Sequence, residues 1–528
     1  MMQDNLRAPK ISLLFNTLQA ACLLCGILQA FISPTTDNLV ATTYVVLGTT
    51  VILQYLLRSG CSSEYPITSL ALLGLNITSL SASLLTMTAY WRPIVENLRA
   101  PEITFPLLAS IHLAAVFAHW IYTKFTPFYN SSQILATKLL KPIGLFTTPH
   151  IAAVWIMGLI GAFSQFLGHA NTGDVSGKAI QALGFLCWMP FLIPFYYKQS
   201  GENFCNFRKQ LPFIIAFIAT MIAIGLARNV RQIMMIGPLQ LFFAYYIYLA
   251  INNERFNYKT VQTYALGSIA LIVSTLIATD LITAMGVARD KRDSGTYAEV
   301  IEETMNALLV ERHKLDEYRA RTELAATLSV YDEAYIPNPI LARLSETKFH
   351  DNMFYFGGNF ISDNPGELIE GMKDRAIATL PENFIKLFNP DYNKNESIYS
   401  IGDYYLYLMW GEARLSSFVT GSIWADFYTI FGYWYIFAAL PYLTLVYILF
   451  NALCLKENNK VYVSAIAICT SWPIFIYGIG GESLVSKAAL LAREIPQRII
   501  LYAAVFWIIH AILQLLKIAP PKNKLWGN

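Results

Sequence analysis

Charge is what this sequence has least of. Only 14% of its 528 residues are Asp, Glu, Lys or Arg, where a soluble domain carries about a quarter. The net charge of +3 is too small to argue for a nucleic-acid partner. Cysteine is sparse as well. Cys22, Cys25, Cys61, Cys187, Cys205, Cys454 and Cys469 all lie in apolar runs or short loops, so no disulfide framework is implied. Cys22 and Cys25 form a CxxC inside an apolar run, where packing accounts for them better than redox or metal chemistry does.

Metal-ligand patterns are missing too. His112, His119, His150, His169, His313, His350 and His510 include no HxxxH, and no paired aspartates stand out, which speaks against a metal site. His313 has Glu311, Asp316 and Glu317 nearby, but Arg312 and Lys314 interleave with them as on a solvated helix face. A GxxxxGK[ST] loop is absent, which counts against an ATP-driven pump, and no cofactor is implied. The first apolar run starts after Lys10 and continues to about Ile32 without a short apolar region and cleavage site, so it reads as a membrane span rather than a signal peptide.

What the chain has is apolar length. Hydrophobic residues make up 55% of it and fall in runs of about 18 or more, enough to cross a hydrocarbon core as a helix. Hydropathy predicts an all-α polytopic membrane protein with twelve spans, over 10–31, 38–57, 67–90, 103–125, 148–169, 177–197, 209–226, 232–251, 263–286, 426–454, 460–478 and 497–517. An even number puts both termini on one side. Lys and Arg divide sixteen to eight in favour of the short segments on the side of the termini, which makes that side cytoplasmic.

Three units follow: a membrane domain over 1–286, a loop over 287–420 on the outer side, and a second membrane domain over 421–528. A loop of this length is more often functional than a plain linker, and it holds no cysteine, so packing on the membrane domain must order it. The spacing predicts a helix from Tyr297 to about Leu328, with Ile301, Met305, Leu308, Leu315 and Tyr318 on its apolar stripe. A second helix should open at Asn364-Pro365-Gly366-Glu367, with Asn364 as cap, Pro365 at the first position and Glu367 in the first turn.

The outer face collects cations against the positive-inside bias. In AIGLARNVRQIMMIGPL (223–239), Arg228 and Arg231 are three apart, and on one helix face they would fork around a single anion. Arg493 and Arg498 flank the start of the last span, just after Lys487. Interfacial arginines also snorkel to headgroups, so each alone has a plain explanation; together they fit a phosphate or diphosphate. YGIGGESLVSK (477–487) sets glycines before Glu482, although an ordinary turn would do the same. WADFYTIFGYW (424–434) brings Trp424 and Asp426 to the mouth of the tenth span. An aromatic belt would explain Trp424 and Tyr428, whereas a carboxylate at the membrane edge is costly unless paired or used.

LPENFIKLFNPDY (380–392), the stretch through Trp410-Gly411-Glu412, and GSIWADFYTIFGYWY (421–435) together resemble one arrangement. It is that of bacterial repeat-unit polymerases for O-antigen and exopolysaccharide (Wzy type, glycosyltransferase C-like). Asp426, Tyr428, Phe431 and Gly432 fall on that family's acid–x–Tyr–x–x–Phe-Gly element, with Asp where Glu is common. The Arg228 stretch is similar to its middle-span entry, with Ala227 where Ser is often seen.

The resemblance implies a glycosyltransferase of the bacterial inner membrane, without metal, that builds lipopolysaccharide or exopolysaccharide. It would move a growing glycan from undecaprenyl (polyprenyl) diphosphate to the next lipid-linked repeat unit at the outer face. Its partners would be that lipid-linked oligosaccharide, membrane lipid, a chain-length regulator and a flippase. Arg228, Arg231, Arg493 and Arg498 would hold the diphosphate. Asp426, Glu482 and Glu412 are the candidate bases, and Trp424, Tyr428, His313 and His350 the candidate sugar contacts. A ligase of similar architecture, relying on a loop histidine such as His313 or His350, is the first alternative. A transporter or flippase of lipid-linked sugars is the second.

Overall fold

The computed structural model describes residues 10–167, 175–252, 279–291, 296–328, 331–336, 338–397, 399–411, 415, 418–458, 460–470, 475 and 479–518. In chain order, α1 (Lys10–Ile32), α2 (Thr36–Ser59), α3 (Pro66–Ala89) and α4 (Pro101–Lys124) are long apolar helices. The shorter α5 (Ile151–Leu167) follows, then α6 (Ala179–Asn203), α7 (Phe207–Ala227) and α8 (Arg231–Asn252). The long connection holds α9 (Tyr297–Leu309), α10 (His313–Leu328), α11 (Thr347–Phe356), α12 (Gly366–Ile377) and α13 (Ile401–Trp410). Then come α14 (Ile423–Ala452) and α15 (Leu484–Leu515). Nine of these helices among the described residues are long and apolar enough to cross a membrane. The chain is an all-α, multi-pass membrane protein.

Successive helices alternate in direction, so their ends gather at two faces. The connection 90–100 and the loop 287–420 share one of them, called here the loop face. At the other face a hairpin of β1 (Cys454–Glu457) and β2 (Lys460–Val463) is tied to the bundle by Lys141–Glu457 at 2.8 Å and Lys456–Glu64 at 3.1 Å. This hairpin replaces the start of the predicted span 460–478. Most of the predicted span 263–286 lies outside the described residues; its end, 279–287, is helical.

The bundle interior is tight because backbones meet. α6 carries a 3-10 stretch over Gly184–Leu192 that lies directly on α5, where a Cβ at Gly161 would collide with the backbone nitrogen of Cys187. Only glycine allows that approach.

The loop is sewn into the bundle by α11. Thr347, Lys348, His350, Asp351 and Asn352 are all buried there beside Phe349, Met353, Phe354 and Phe356. Burial of so many polar groups requires a partner for each. α3 supplies several through a π-helical turn at Ile77–Ser81, a geometry that leaves carbonyls free of the regular ladder. Glu346 N donates to the Thr78 carbonyl at 2.7 Å, and Thr347 Oγ1 to the Ser79 carbonyl at 2.8 Å. Asp351 does the reverse, accepting from Arg99 N (2.6 Å), Ala100 N (3.0 Å) and Thr104 Oγ1 (3.0 Å). It thereby satisfies the backbone donors just ahead of α4 and a hydroxyl in its first turn, pinning the entry to that helix.

Four expectations change. The helix expected over 297–328 breaks at 310–312 into α9 and α10. On α9 the buried residues are Val300, Thr304 and Ala307, while Ile301 and Met305 face outward. Tyr297 on that outward stripe meets Phe166 of α5, ring centroids 5.5 Å apart. α12 starts at Gly366 with Pro365 in the cap position and no side-chain cap bond, so Asn364 does not cap it. α15 begins at Leu484, well before its hydropathy limit, because it continues past the apolar layer into the loop face. α14 begins near its limit but turns at Gly432 (φ 56°), so that Trp424 and Phe427 pack on Tyr442, ring centroids 6.1 Å apart.

Gly161→Ala should force α5 and α6 apart and cost about 1–3 kcal/mol, read as a lower melting temperature of the purified protein in detergent. Gly366→Ala, whose Cβ would find its nearest neighbour at 3.4 Å, should melt as wild type does.

Candidate functional site

Two helices start side by side at the loop face. Ser422 caps α14 by accepting from Ala425 N at 3.2 Å, and Ser483 caps α15 by accepting from Ser486 N at 3.3 Å. Backbone pairing of Ser422 with Gly481 and Glu482, and a bond from Ile423 N to the Gly480 carbonyl at 3.2 Å, hold the two starts together. Asp426, one turn into α14, locks them. Its carboxylate accepts from Leu484 N at 2.7 Å and from the Tyr405 hydroxyl of α13 at 3.2 Å.

α11 reaches the same point. His350 Nδ1 and Ser422 Oγ share a hydrogen bond of 2.7 Å. Burial, with His112 and Lys487 adding to it, holds the His350 imidazole down at about 3, so the ring is neutral.

Beside this junction lies a set of charged groups. Lys487 of α15 is only 3% exposed, and its ammonium stands 3.9 Å from the Glu482 carboxylate. Glu482 is itself in the left-handed region at φ 65°, a conformation that costs energy for a residue with a side chain and that collects at functional sites. Glu346, the residue before α11, is buried, and its Oε2 has no hydrogen-bond partner. Burial pushes its carboxyl up to about 8 against the pull of Lys487 and Arg343. Arg343 and Arg289 lie close enough to repel Arg231 electrostatically, while Tyr318 hydrogen-bonds it. Arg343 is thus shared between Arg231 and the Glu346 carboxyl, which also has Glu482 and Glu333 in its field.

Lys487 also lines a narrow, otherwise apolar crevice between α14 and α15, walled by Tyr442, Val446, Phe450, Ile479, Leu490 and Leu491. A cation at the head of an apolar slot is the arrangement that a lipid with an anionic head needs.

The predicted site residues divide sharply. Arg231, Glu482 and His350 belong to this region. Arg228 does not share a helix face with Arg231: the chain turns between α7 and α8 through Asn229 at φ 50°, and Arg228 donates to the Gln165 carbonyl of α5. Arg493 is exposed and donates to the Thr379 carbonyl, and Arg498 is paired with Glu494 at 3.0 Å. Trp424 cannot meet a sugar, because it is 0% exposed and lies beneath Gly480, where any Cβ would strike the indole. Asp426 is equally buried with both oxygens engaged, so it positions α13, α14 and α15 rather than facing an acceptor. Tyr428 is part-buried, edge-on to Phe354 at 5.7 Å. His313 is exposed at the start of α10, apart from the buried His350. Glu412 lies outside the described residues.

Sequence reasoning passed over Glu346, Arg343 and Arg289, and it gave Lys487 no role. Lys487 follows Glu482 closely enough for one helical start to bring them together, which was a usable signal. The other three carried none, since only the tertiary fold brings them to the site.

No known family, characterised protein or solved structure matches this chain. Among the described residues no group of His, Cys, Asp and Glu could hold a metal ion.

The two titratable groups set opposite pH limits. The His350 value in the fold, about 3, lies below its ordinary 6.5, so its contribution is complete above 6.5 and is lost as pH falls toward 3. The Glu346 value, about 8, lies above its ordinary 4.5, so its contribution is complete below 4.5 and is lost as pH rises through 8. Glu346→Gln should therefore remove much of the alkaline loss: its melting temperature should fall less than that of wild type as pH rises through 8. Parallel curves would refute the assignment.

Proposed function

We propose that this protein is a polyprenyl-diphosphate-dependent glycosyltransferase, in particular a polymerase. It would move a growing glycan onto the next lipid-linked repeat unit at the outer face of a bacterial inner membrane. In this reading the chain crosses the bilayer twelve times with both termini cytoplasmic. Residues 287–420 form the extracytoplasmic domain between the two membrane domains. A chain-length regulator and a flippase act beside it.

The observation that carries the reading is the apolar crevice headed by Lys487 and adjoining the group formed by Glu346, Arg343, Arg231 and Arg289. The polyprenyl tail lies between α14 and α15, with its diphosphate at Lys487 and the arginines. Glycosyl transfer breaks the bond from the anomeric carbon to the diphosphate oxygen and forms one to the acceptor oxygen. The departing diphosphate takes the electron pair, and preorganised cations stabilise the charge that grows there. The acceptor hydroxyl gives its proton to a base, a role that falls to Glu482, which is part-exposed and beside Lys487. Asp426 holds the two helix starts in register for this step.

Lys487→Met removes a buried cation without adding bulk. It removes one partner of an ion pair and should lower the melting temperature modestly, while slowing transfer roughly 10²–10³-fold, as the loss of one preorganised donor does. The assay is chain growth from a purified polyprenyl-diphosphate-linked oligosaccharide in proteoliposomes. Arg343→Ala should slow it less, since Arg343 is exposed. A Lys487→Met protein that polymerises at the wild-type rate would overturn the reading.

A further inference from the structure

The segment after α12 carries an apolar surface that no described residue covers. Over 377–388, Ile377, Leu380, Phe384, Leu387 and Phe388 are all exposed, the last two at 75% and 78%. Within that run Ala378 and Ile385 turn inward. Phe384 and Phe388 meet edge to face at 5.4 Å, so the patch is shaped rather than loose. A water-facing loop has no reason to assemble such a patch, and exposed patches of this kind mark an interaction surface.

Its position identifies the partner. Arg493 of α15 donates to the Thr379 carbonyl and so fixes the segment against that helix. Ile500 stands seven residues further along α15, on the same face and about 10 Å below. Ile500, Ile508, Ile512 and Leu515 are the outward, exposed side chains of this span, and in a membrane protein such a stripe faces lipid. α15 has 32 residues and is about 48 Å long, against a hydrocarbon core of about 30 Å. Its first turns therefore stand at the headgroup level, and the tethered segment lies there with them.

The polar atoms of the segment fit the same place. Lys394 donates to the Leu380 carbonyl at 2.6 Å, and Lys386 is paired with Glu382 at 2.7 Å. Cations thus border the apolar side chains, as they do in segments that lie in a bilayer interface.

We propose that residues 377–388 form a ledge whose apolar side chains enter the outer part of the lipid leaflet at the loop face, continuing the lipid-facing surface of α15. The ledge is held beside the turns of α15 that carry Lys487, Leu490 and Leu491, so it borders the mouth of the crevice. The inference stands without the glycosyl-transfer reading, because it rests only on exposure, the Arg493 tether and the direction of α15.

The test places an environment-sensitive fluorophore at Phe388→Cys and at Leu387→Cys in the full-length protein, reconstituted in nanodiscs. Wild type treated identically reports any labelling of part-buried Cys25. Ala320→Cys, on the exposed surface of α10, serves as the water-facing control. An apolar face in the interface sinks roughly 5–10 Å. Both ledge probes should therefore be quenched by lipids spin-labelled near the headgroup more than by lipids labelled at the chain end, and they should resist aqueous iodide. The control should show the reverse. Ledge probes quenched by iodide as strongly as the control would overturn the proposal. So would probes insensitive to both quenchers but cross-linked between two copies, since that outcome makes the patch a protein interface instead.

Discussion

Much of this structure depends on one carboxylate. Asp351, on a helix of the long loop, pins the chain entering α4 of the membrane domain by accepting from Arg99 N, Ala100 N and Thr104. Buried backbone donors need an acceptor, and here it comes from a residue some 250 positions away. Burial pushes the Asp351 carboxyl up, and its bonds to those backbone groups pull it back. The bundle and the loop are therefore not independent units: the apolar helices are complete only when α11 has descended among them. The same descent delivers His350 to Ser422 and Glu346 to the neighbourhood of Lys487.

The loop face also shows how buried polarity is sorted. Lys348 reaches the Asn97 carbonyl, Asn352 the Asp332 carbonyl at 2.8 Å, and Tyr335 the Ile94 carbonyl at 2.7 Å. Each donates to backbone, which fixes geometry, although Asn352 Oδ1 is left without a partner. Against that background the unpartnered Glu346 oxygen, the strained Glu482 and the arginines gathered around Arg231 are the exceptions. Exceptions of this kind are where function is sought, because a fold retains unsatisfied or strained groups only where something over-determines them.

Apolar surface is sorted by the same logic. Outward residues along α15 are apolar because lipid, not water, is their solvent, and the ledge at 377–388 extends that surface beyond the helix. The crevice lined by Lys487 lies between α14 and α15. Extra length of α15 at the loop face is what sets Lys487 beside the ledge.

Composition and run length by themselves determined the class of this protein, since blocks of apolar residues long enough to cross a bilayer have no other stable use. The closeness of Glu482 and Lys487 was legible too, because five residues across one helix start keep them together. Trp424, Asp426 and Arg228 misled for a single reason. Residue type at a membrane edge says that a polar or aromatic group is present, not whether it faces a ligand or a neighbouring backbone. Only the tertiary structure decided that Asp426 would be spent on Leu484 N and Tyr405, that Trp424 would lie under Gly480, and that Arg343 and Arg289 would join Arg231. Those outcomes depend on contacts between segments far apart in sequence, and no periodicity or spacing within one segment encodes them.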